Sequence, residues 1–347
     1  MTLLEQLEIK HPIFLAPMAG VSTPKLAAEV SNQGGLGSLG LGASTVEAAR
    51  QQILATQALT HNPFQVNFFC HQSVELDNNL AQQWIQYLAP QFAKYQATPP
   101  QQLNCIYPSF LDHDDYLNLV LETRPKAVSF HFGIPHPDQI QALKTAGIIT
   151  MVSATNLAEA LAIEAAGIDI IIAQGIEAGG HRGIFNATFD SAIKTSDLIQ
   201  LFKQYCRLPI VAAGGIMNGQ QAQACIKLGA EAVQLGTAFV QCKSSNANAA
   251  YRKALFSNPI TQVSASISGR PARGLINHWH TQIDRPERPA VATYPYCYDL
   301  GKQLNAAATA QGDDGFGAFW AGSNVAQIRE IEAADLINQL VLEMIQP

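Results

Sequence analysis

The chain has 347 residues, 48% of them apolar and only 14% charged, with 21 basic against 27 acidic side chains and a formal net charge of −6. Soluble chains usually carry about 25% charged residues, so this composition suits parallel strands buried on both faces by helices. The negative balance and the lack of a basic cluster argue against nucleic acid as a partner, and no apolar run approaches membrane-spanning length.

Six cysteines, Cys70, Cys105, Cys206, Cys225, Cys242 and Cys297, are scattered without CxxC spacing. That predicts reduced thiols in a cytoplasmic protein rather than a disulfide frame or a zinc site. The N-terminus shows no basic-then-apolar signal pattern.

Short apolar runs alternate with helical stretches along the first two thirds of the chain. Residues 12–16 (PIFLA) predict a first strand ending at Pro17-Met18-Ala19-Gly20, and Pro24 then opens a helix, where its missing N–H costs nothing. Residues 34–41 predict a second strand, 45–59 a helix, 64–69 (FQVNFF) a third strand, and a long helix falls within 76–93. The proline-bearing stretch 96–110 is too irregular to assign. Residues 126–132, 147–152 and 169–173 predict strands four to six, with a helix over 157–166. After the loop GIEAGGHRG and a helix near 196–205 comes a strand–helix–strand unit, residues 209–239. Its first strand closes at Gly214-Gly215 and its second ends in Gly236-Thr237.

Eight strand units in strict alternation predict an α/β fold of the (β/α)8 TIM-barrel type, with a doubly wound open sheet as the alternative. Beyond about residue 243 the alternation fails. The polar, proline-marked stretch 258–295 is expected in an insertion over the barrel mouth, and 325–346 as an amphipathic helix returning to the barrel. The expected division is a barrel over 1–240, a substrate-covering insertion over 241–320 and a C-terminal helix within 321–347.

The two glycine turns of the unit over 209–239 lie at the carboxyl ends of neighbouring strands. Glycine there lets backbone N–H groups approach a ligand, and a helix N-terminus beyond favours an anion. A phosphate cradle is the functional reading, and two ordinary strand-to-helix turns the alternative. Residues 35–40 formally match GxGxxG, but a helix precedes the motif and a strand overlaps it. That inverts the context a dinucleotide fingerprint requires, leaving a helix stop and strand start.

In a barrel, function sits at the carboxyl ends of the strands. Those ends supply Met18, Asn67, His131, Ser153, Gln174, Gly179-Gly180-His181, Gly214-Gly215 and Gly236-Thr237. No carboxylate cluster for a metal and no Schiff-base lysine is present among them. Glycines, amides and hydroxyls suit a flat heteroaromatic ring with a phosphate tail, the profile of a flavin mononucleotide (FMN) site. His131 is the titratable group at a strand end near the centre of the mouth, able to take a proton or hold an anion. His181 is expected to position a loop or phosphate, His278 and His280 to lie on the surface, and Asp112-His113-Asp114-Asp115 to form a solvated turn.

The residues Pro17 to Pro24 (PMAGVSTP), Asn67-Phe68-Phe69-Cys70-His71, Ser129 to Gly133 (SFHFG), Gly175 to His181 (GIEAGGH), Gly236 to Phe239 and Ser268 to Gly274 (SGRPARG) stand in order. Together they closely resemble the class I nitronate monooxygenases, formerly called 2-nitropropane dioxygenases, along essentially the whole chain. SFHFG and SGRPARG are the discriminating pieces, whereas the EAGGH loop and the paired glycine turns are shared with related FMN barrels.

The resemblance implies an FMN-dependent, detoxifying enzyme, monomeric or homodimeric. It would oxidise alkyl nitronates, propionate 3-nitronate in particular, with O2 through a flavin semiquinone and without NAD(P)H. It implies His131 as the catalytic residue, essential for neutral nitroalkanes and less so for nitronates. It places FMN contacts on Met18, Asn67, Gln174, Gly179, Gly180, Gly214, Gly215, Gln234, Leu235, Gly236 and Thr237. Tyr107, Tyr298 and Lys302 are candidates for the substrate side, with packing or surface roles as the alternative.

Two departures from the family pattern fall at the rim: Lys243-Ser244-Ser245, where a Pro-Glu pair precedes Ser, and Ser323 in place of Gln. Two other functions remain open. One is an FMN-dependent NAD(P)H reductase of quinones or enoyl thioesters, against which Met151-Val152-Ser153 counts, since quinone-reductase relatives carry a basic or histidine residue there. The other is a barrel that only binds a phosphorylated ligand.

Overall fold

In the computed structural model, which describes residues 1–257 and 259–345, eight short strands lie side by side and all run parallel. They are β1 (Ile13–Leu15), β2 (Gly37–Gly40), β3 (Phe64–Phe69), β4 (Ala127–His131), β5 (Ile149–Ala154), β6 (Ile170–Gln174), β8 (Ile210–Ala213) and β9 (Ala232–Leu235). Three further strands, β7 (Gly180–His181), β10 (Thr261–Ser264) and β11 (Ala272–Leu275), form a small antiparallel sheet. The large sheet runs in the order β1-β9-β8-β6-β5-β4-β3-β2. A parallel bridge between Phe14 and Leu36 brings its two edges together, so the sheet closes into a (β/α)8 barrel.

Nearly every residue of the eight barrel strands is buried, as parallel strands covered on both faces require. Side chains alternate between the two faces of a strand, and one phase faces the barrel interior. Phe14, Leu36, Ala127, Ile149, Met151, Ile170, Ile172, Val211, Ala213 and Ala232 form one apolar cluster there, joined by Leu3 and Leu7 of the N-terminal helix. Continuing the same phase towards the carboxyl ends gives Asn67, His131, Ser153, Gln174 and Gln234. The interior is thus mostly apolar below, where buried Gln65 is the polar exception and reaches Gln234, and polar above, where the cavity lies.

Two boundaries differ from expectation in ways that matter. The fifth strand runs over Ile149–Ala154 rather than 147–152, because Gly147, at φ +74°, turns the chain out of the preceding helix. Ser153 is therefore a strand residue facing inward. The glycines over 35–40 serve helix–strand packing: a Cβ at Gly37 would lie 2.1 Å from the Ala27 carbonyl oxygen, and one at Gly35 2.7 Å from that of Ile13.

The layer over the barrel mouth draws on two parts of the chain. Trp84, Leu88 and Phe92 of the helix Asn78–Lys94 pack with Trp279, Cys297, Leu300, Leu304 and Phe316 into a separate core. The helix Tyr296–Ala310 lies against Asn78–Lys94. In the small sheet, His181 pairs with Ala272 and Gly180 with Arg273, so the EAGGH and SGRPARG segments are strand partners.

At the C-terminus the expected continuous helix is broken. A 3-10 turn, Val325–Gln327, is followed by extended chain from Ile328, and a helix resumes over Ala333–Ile345. Gln346, Pro347 and Asn258 lie outside the described residues. This last helix packs on Gly219–Leu228, with Glu343 Oε2 accepting from the Gly219 amide at 2.6 Å. Among the described residues no helix is long and apolar enough to cross a membrane.

Candidate active site

A cavity of about 640 Å³ opens at the carboxyl ends of the barrel strands. Asn67, Gln174 and Gln234 reach it from β3, β6 and β9, with Met18 from the turn after β1. Gly179, Gly180, Gly214, Gly215, Gly236 and Thr237 line one end of it, and Tyr107, Tyr298 and Lys302 another. His131 lies in the same lining. Leu235 does not: it is buried among the side chains packed between strand and helices. The reason is alternation, since its neighbours Gln234 and Gly236 face inward and Leu235 must face out.

His131 ends β4, and both of its ring nitrogens have partners. Nδ1 lies 3.1 Å from Ser153 Oγ, and Nε2 lies 3.1 Å from the carbonyl oxygen of His181. Gln174 Nε2 donates to that same carbonyl at 3.0 Å. Gln174 Oε1 accepts from the Gly183 amide at 2.7 Å and from Arg182 Nη1 at 3.1 Å. Arg182, fully buried, is neutralised by Asp190 at 2.7 Å and donates to the Gly175 carbonyl at 2.6 Å. Burial lowers the His131 pKa to about 4, opposed by its bond to the His181 carbonyl and assisted by the positive Arg270 and Arg182. The imidazole is therefore neutral at physiological pH.

His181 is held at Nε2 by Ser268 Oγ at 2.8 Å, and burial, with His131 and Arg270 nearby, lowers its pKa to about 3. Its ring stands among those of Phe132, Tyr294, Tyr298 and Trp320.

The glycine end is built from main chain. Gly214, Gly215 and Gly180 have φ of +125°, +72° and +76°, conformations that only glycine adopts without strain. A Cβ at Gly180 would meet nothing within 4 Å, so the backbone there stands open. Side chains brace these turns from behind. Asn324 Nδ2 donates to the Gly215 carbonyl at 2.6 Å, Thr237 Oγ1 accepts from the Gly322 amide at 3.0 Å, and Glu177 takes both the amide and hydroxyl of Thr195 at 3.0 Å.

The aromatic end carries the site's cation. Lys302 Nζ lies 5.0 Å from the Tyr107 ring centroid and 5.5 Å from that of Tyr298. Burial raises the phenol of Tyr298 to about 12 and that of Tyr107 beyond its ordinary value, so both stay protonated. Tyr294 also lines the cavity, and its buried hydroxyl has no hydrogen-bond partner among the described residues. Tyr294 and Trp320 follow no periodic pattern, so nothing in the sequence singled them out.

The remaining expectations resolve outside the cavity. His280 is buried rather than on the surface, its Nδ1 bonded to Asn277, while His278 sits half-exposed against Asp313. Of the acidic run, Asp112 accepts from the Ser109 amide at 2.8 Å and Asp114 precedes the helix Asp115–Thr123. At the two rim departures, Lys243 pairs with Glu332 at 2.6 Å, and the Ser323 amide donates to the Glu177 carbonyl at 3.0 Å.

Parallel barrels of this kind carry their chemistry where this cavity lies, and the class the chain falls into is that of the (β/α)8-barrel enzymes. Comparison narrows it. A family model described as nitronate monooxygenase matches residues 1–343. A nitronate monooxygenase of Paraburkholderia phytofirmans is 52% identical, over 99% of this chain and 95% of its own. One of Pseudomonas aeruginosa is 49% identical, over 97% of both. The solved structure of a nitroalkane oxidase from Streptomyces ansochromogenes superposes with a TM-score of 0.90 at 37% identity, covering 98% of this chain and 97% of that one. The chain belongs to the nitronate monooxygenase family of oxidoreductases.

Proposed function

We propose that the chain binds FMN in the cavity at the barrel mouth and oxidises alkyl nitronates, propionate 3-nitronate foremost, with molecular oxygen. The observation that carries the reading is the joining of one cavity from two unlike ends: an open glycine backbone, and a neutral His131 beside an aromatic, lysine-bearing wall.

The residues present fit such a cofactor. The cavity volume of about 640 Å³ falls in the range of roughly 300–1,000 Å³ usual for cofactor sites. The turns at Gly179-Gly180, Gly214-Gly215 and Gly236-Thr237 would hold a phosphate through main-chain donors. Asn67, Gln174 and Gln234 would meet the polar edges of the ring, and Met18 would pack against it. When bound, FMN supplies the electron acceptance that oxygen then completes.

The protein's own part is binding, orientation and proton control. Lys302 supplies positive charge for an anionic substrate between Tyr107 and Tyr298. His131 is the catalytic residue, needed to take a proton from a neutral nitroalkane and dispensable for a nitronate, which is already the anion. In this reading residues 1–240 form the FMN-binding barrel, and 241–320 with the helix Asn78–Lys94 cover the substrate. A cytoplasmic location is the one that six free thiols support.

The test is anaerobic spectroscopy of the purified, yellow protein, with propionate 3-nitronate added to one sample and NADH to another. Reduction of the flavin by the nitronate alone is expected. Bleaching by NADH with the nitronate inert would make the protein a reductase, and a colourless protein that takes up no FMN would overturn both.

A further inference from the structure

His131 has two nitrogens, and the protein occupies both. Nε2 faces the His181 carbonyl at 3.1 Å, and a carbonyl only accepts, so Nε2 carries a hydrogen. In the neutral ring Nδ1 is then bare, and the hydroxyl of Ser153, 3.1 Å away, donates to it.

The Nε2 clamp is rigid. Its acceptor carbonyl belongs to a residue paired with Ala272 in the small sheet, and is shared with Gln174, whose amide is itself fixed by Arg182 and Gly183. The ring edge between the two nitrogens is also closed. A Cβ at Gly183 would lie 2.9 Å from His131 Cε1 and 3.0 Å from Ser153 Cβ, so the Gly183 backbone already packs on both residues. The basic nitrogen is therefore capped by Ser153, which lines the cavity beside His131.

We propose that Ser153 Oγ is the atom that meets a neutral nitroalkane and passes its proton to His131 Nδ1. This inference rests on the function proposed above. The α C–H bond breaks and its electron pair moves into the nitro group, giving the nitronate. The released proton goes to Ser153 Oγ as the serine's own proton moves to Nδ1. The serine ends neutral, and the imidazolium donates from Nδ1 to Ser153 and from Nε2 to the His181 carbonyl. No oxidant is consumed, so the step is separable from the oxidation, and a substrate supplied as the nitronate bypasses it.

The test is exchange of the α-protons of nitroethane in D2O under anaerobic conditions, followed by proton NMR. The wild-type protein is expected to accelerate exchange, Ser153→Ala to slow it by about tenfold or more, and Ser153→Thr, which keeps the hydroxyl, to stay within about threefold. A wild type that does not accelerate exchange, or a Ser153→Ala variant as fast as wild type, overturns the proposal. Aerobic oxidation of propionate 3-nitronate by the wild type is measured in parallel. Its absence would sink the function itself, whereas its presence with exchange indifferent to Ser153 sinks only the relay. Should Ser153→Ala fail to fold, nitrogen-15 NMR of the wild type decides: hydrogen on Nε2 with Nδ1 bare is expected, and the opposite tautomer overturns the proposal.

Discussion

The guanidinium of Arg270 lies 4.3 Å from the centroid of the Phe132 ring, and Phe132, directly after His131, holds a left-handed backbone at φ +76°. A bulky residue at positive φ costs energy that its surroundings must supply. Here the ring is fixed between the cation and the rings of Phe69, Tyr294 and His181. Among the described residues Arg270 forms no ion pair, and its charge, lowered to a pKa of about 10 by burial, acts on the histidines around it. Arg270→Met keeps most of the shape and removes the charge. The pKa values of His131 and His181 are expected to rise in this variant, as read by NMR titration; unchanged values would show that Arg270 has no part in depressing them.

Stability should depend on pH through the same histidines. The folded values of about 4 for His131 and about 3 for His181 lie below the ordinary 6.5, because burial first of all disfavours the charged ring. As pH falls below 6.5 the unfolded chain takes up protons that the folded chain refuses. The contribution of these rings is therefore complete above about pH 6.5 and is lost as pH falls through 4 and towards 3. Urea unfolding is expected to show a decline on the order of a few kcal/mol over that window. His131→Gln should flatten the slope, and an equal slope in the variant would remove His131 from the account.

Gly183 should tolerate no side chain. Alanine there would press on His131 Cε1 at 2.9 Å and on Ser153 Cβ at 3.0 Å. Overpacking of this kind costs about 1–3 kcal/mol, and it would part the serine from the imidazole. Gly183→Ala is expected to lower both the urea midpoint and nitroethane exchange. A variant with full stability and exchange would mean that the ring edge has slack the structure does not show.

Lys302 should matter for one kind of substrate. Its ammonium stands over two tyrosine rings, and on the function proposed above it would meet a distal carboxylate. Lys302→Met is expected to raise the KM for propionate 3-nitronate by about tenfold or more, with a much smaller effect on ethyl nitronate. Added salt should shrink the difference between variant and wild type, because the lysine is solvent-exposed. Equal effects on both substrates would give Lys302 a packing role.

The barrel was legible because parallel strands buried on both faces read as short apolar runs, and β3 was predicted to the residue. The lining of the cavity was legible where a strand end coincided with a polar residue, as at Asn67, His131 and Gln174. Strand alternation, applied residue by residue, would have set Leu235 aside and promoted Ser153, whose place depended on a strand boundary two residues from the expected one. His280 was misplaced because a polar residue in a proline-marked stretch carries no mark of burial. Tyr294 and the helix Asn78–Lys94 join the covering layer only through contacts distant in sequence, which local patterns do not encode.

The pairing of β7 with β11 has a consequence for how molecules come and go. β7 supplies Gly180 and the carbonyl that meets His131, while β11 belongs to the chain that follows the barrel strands. Movement of β11 would disturb the strand pairing on either side of His181, whose carbonyl faces away from the ladder onto His131 Nε2 and Gln174, so the cover and the imidazole are coupled through one short strand. An anion that reached the cavity with this pairing intact would meet the exposed Lys302 above Tyr107 and Tyr298.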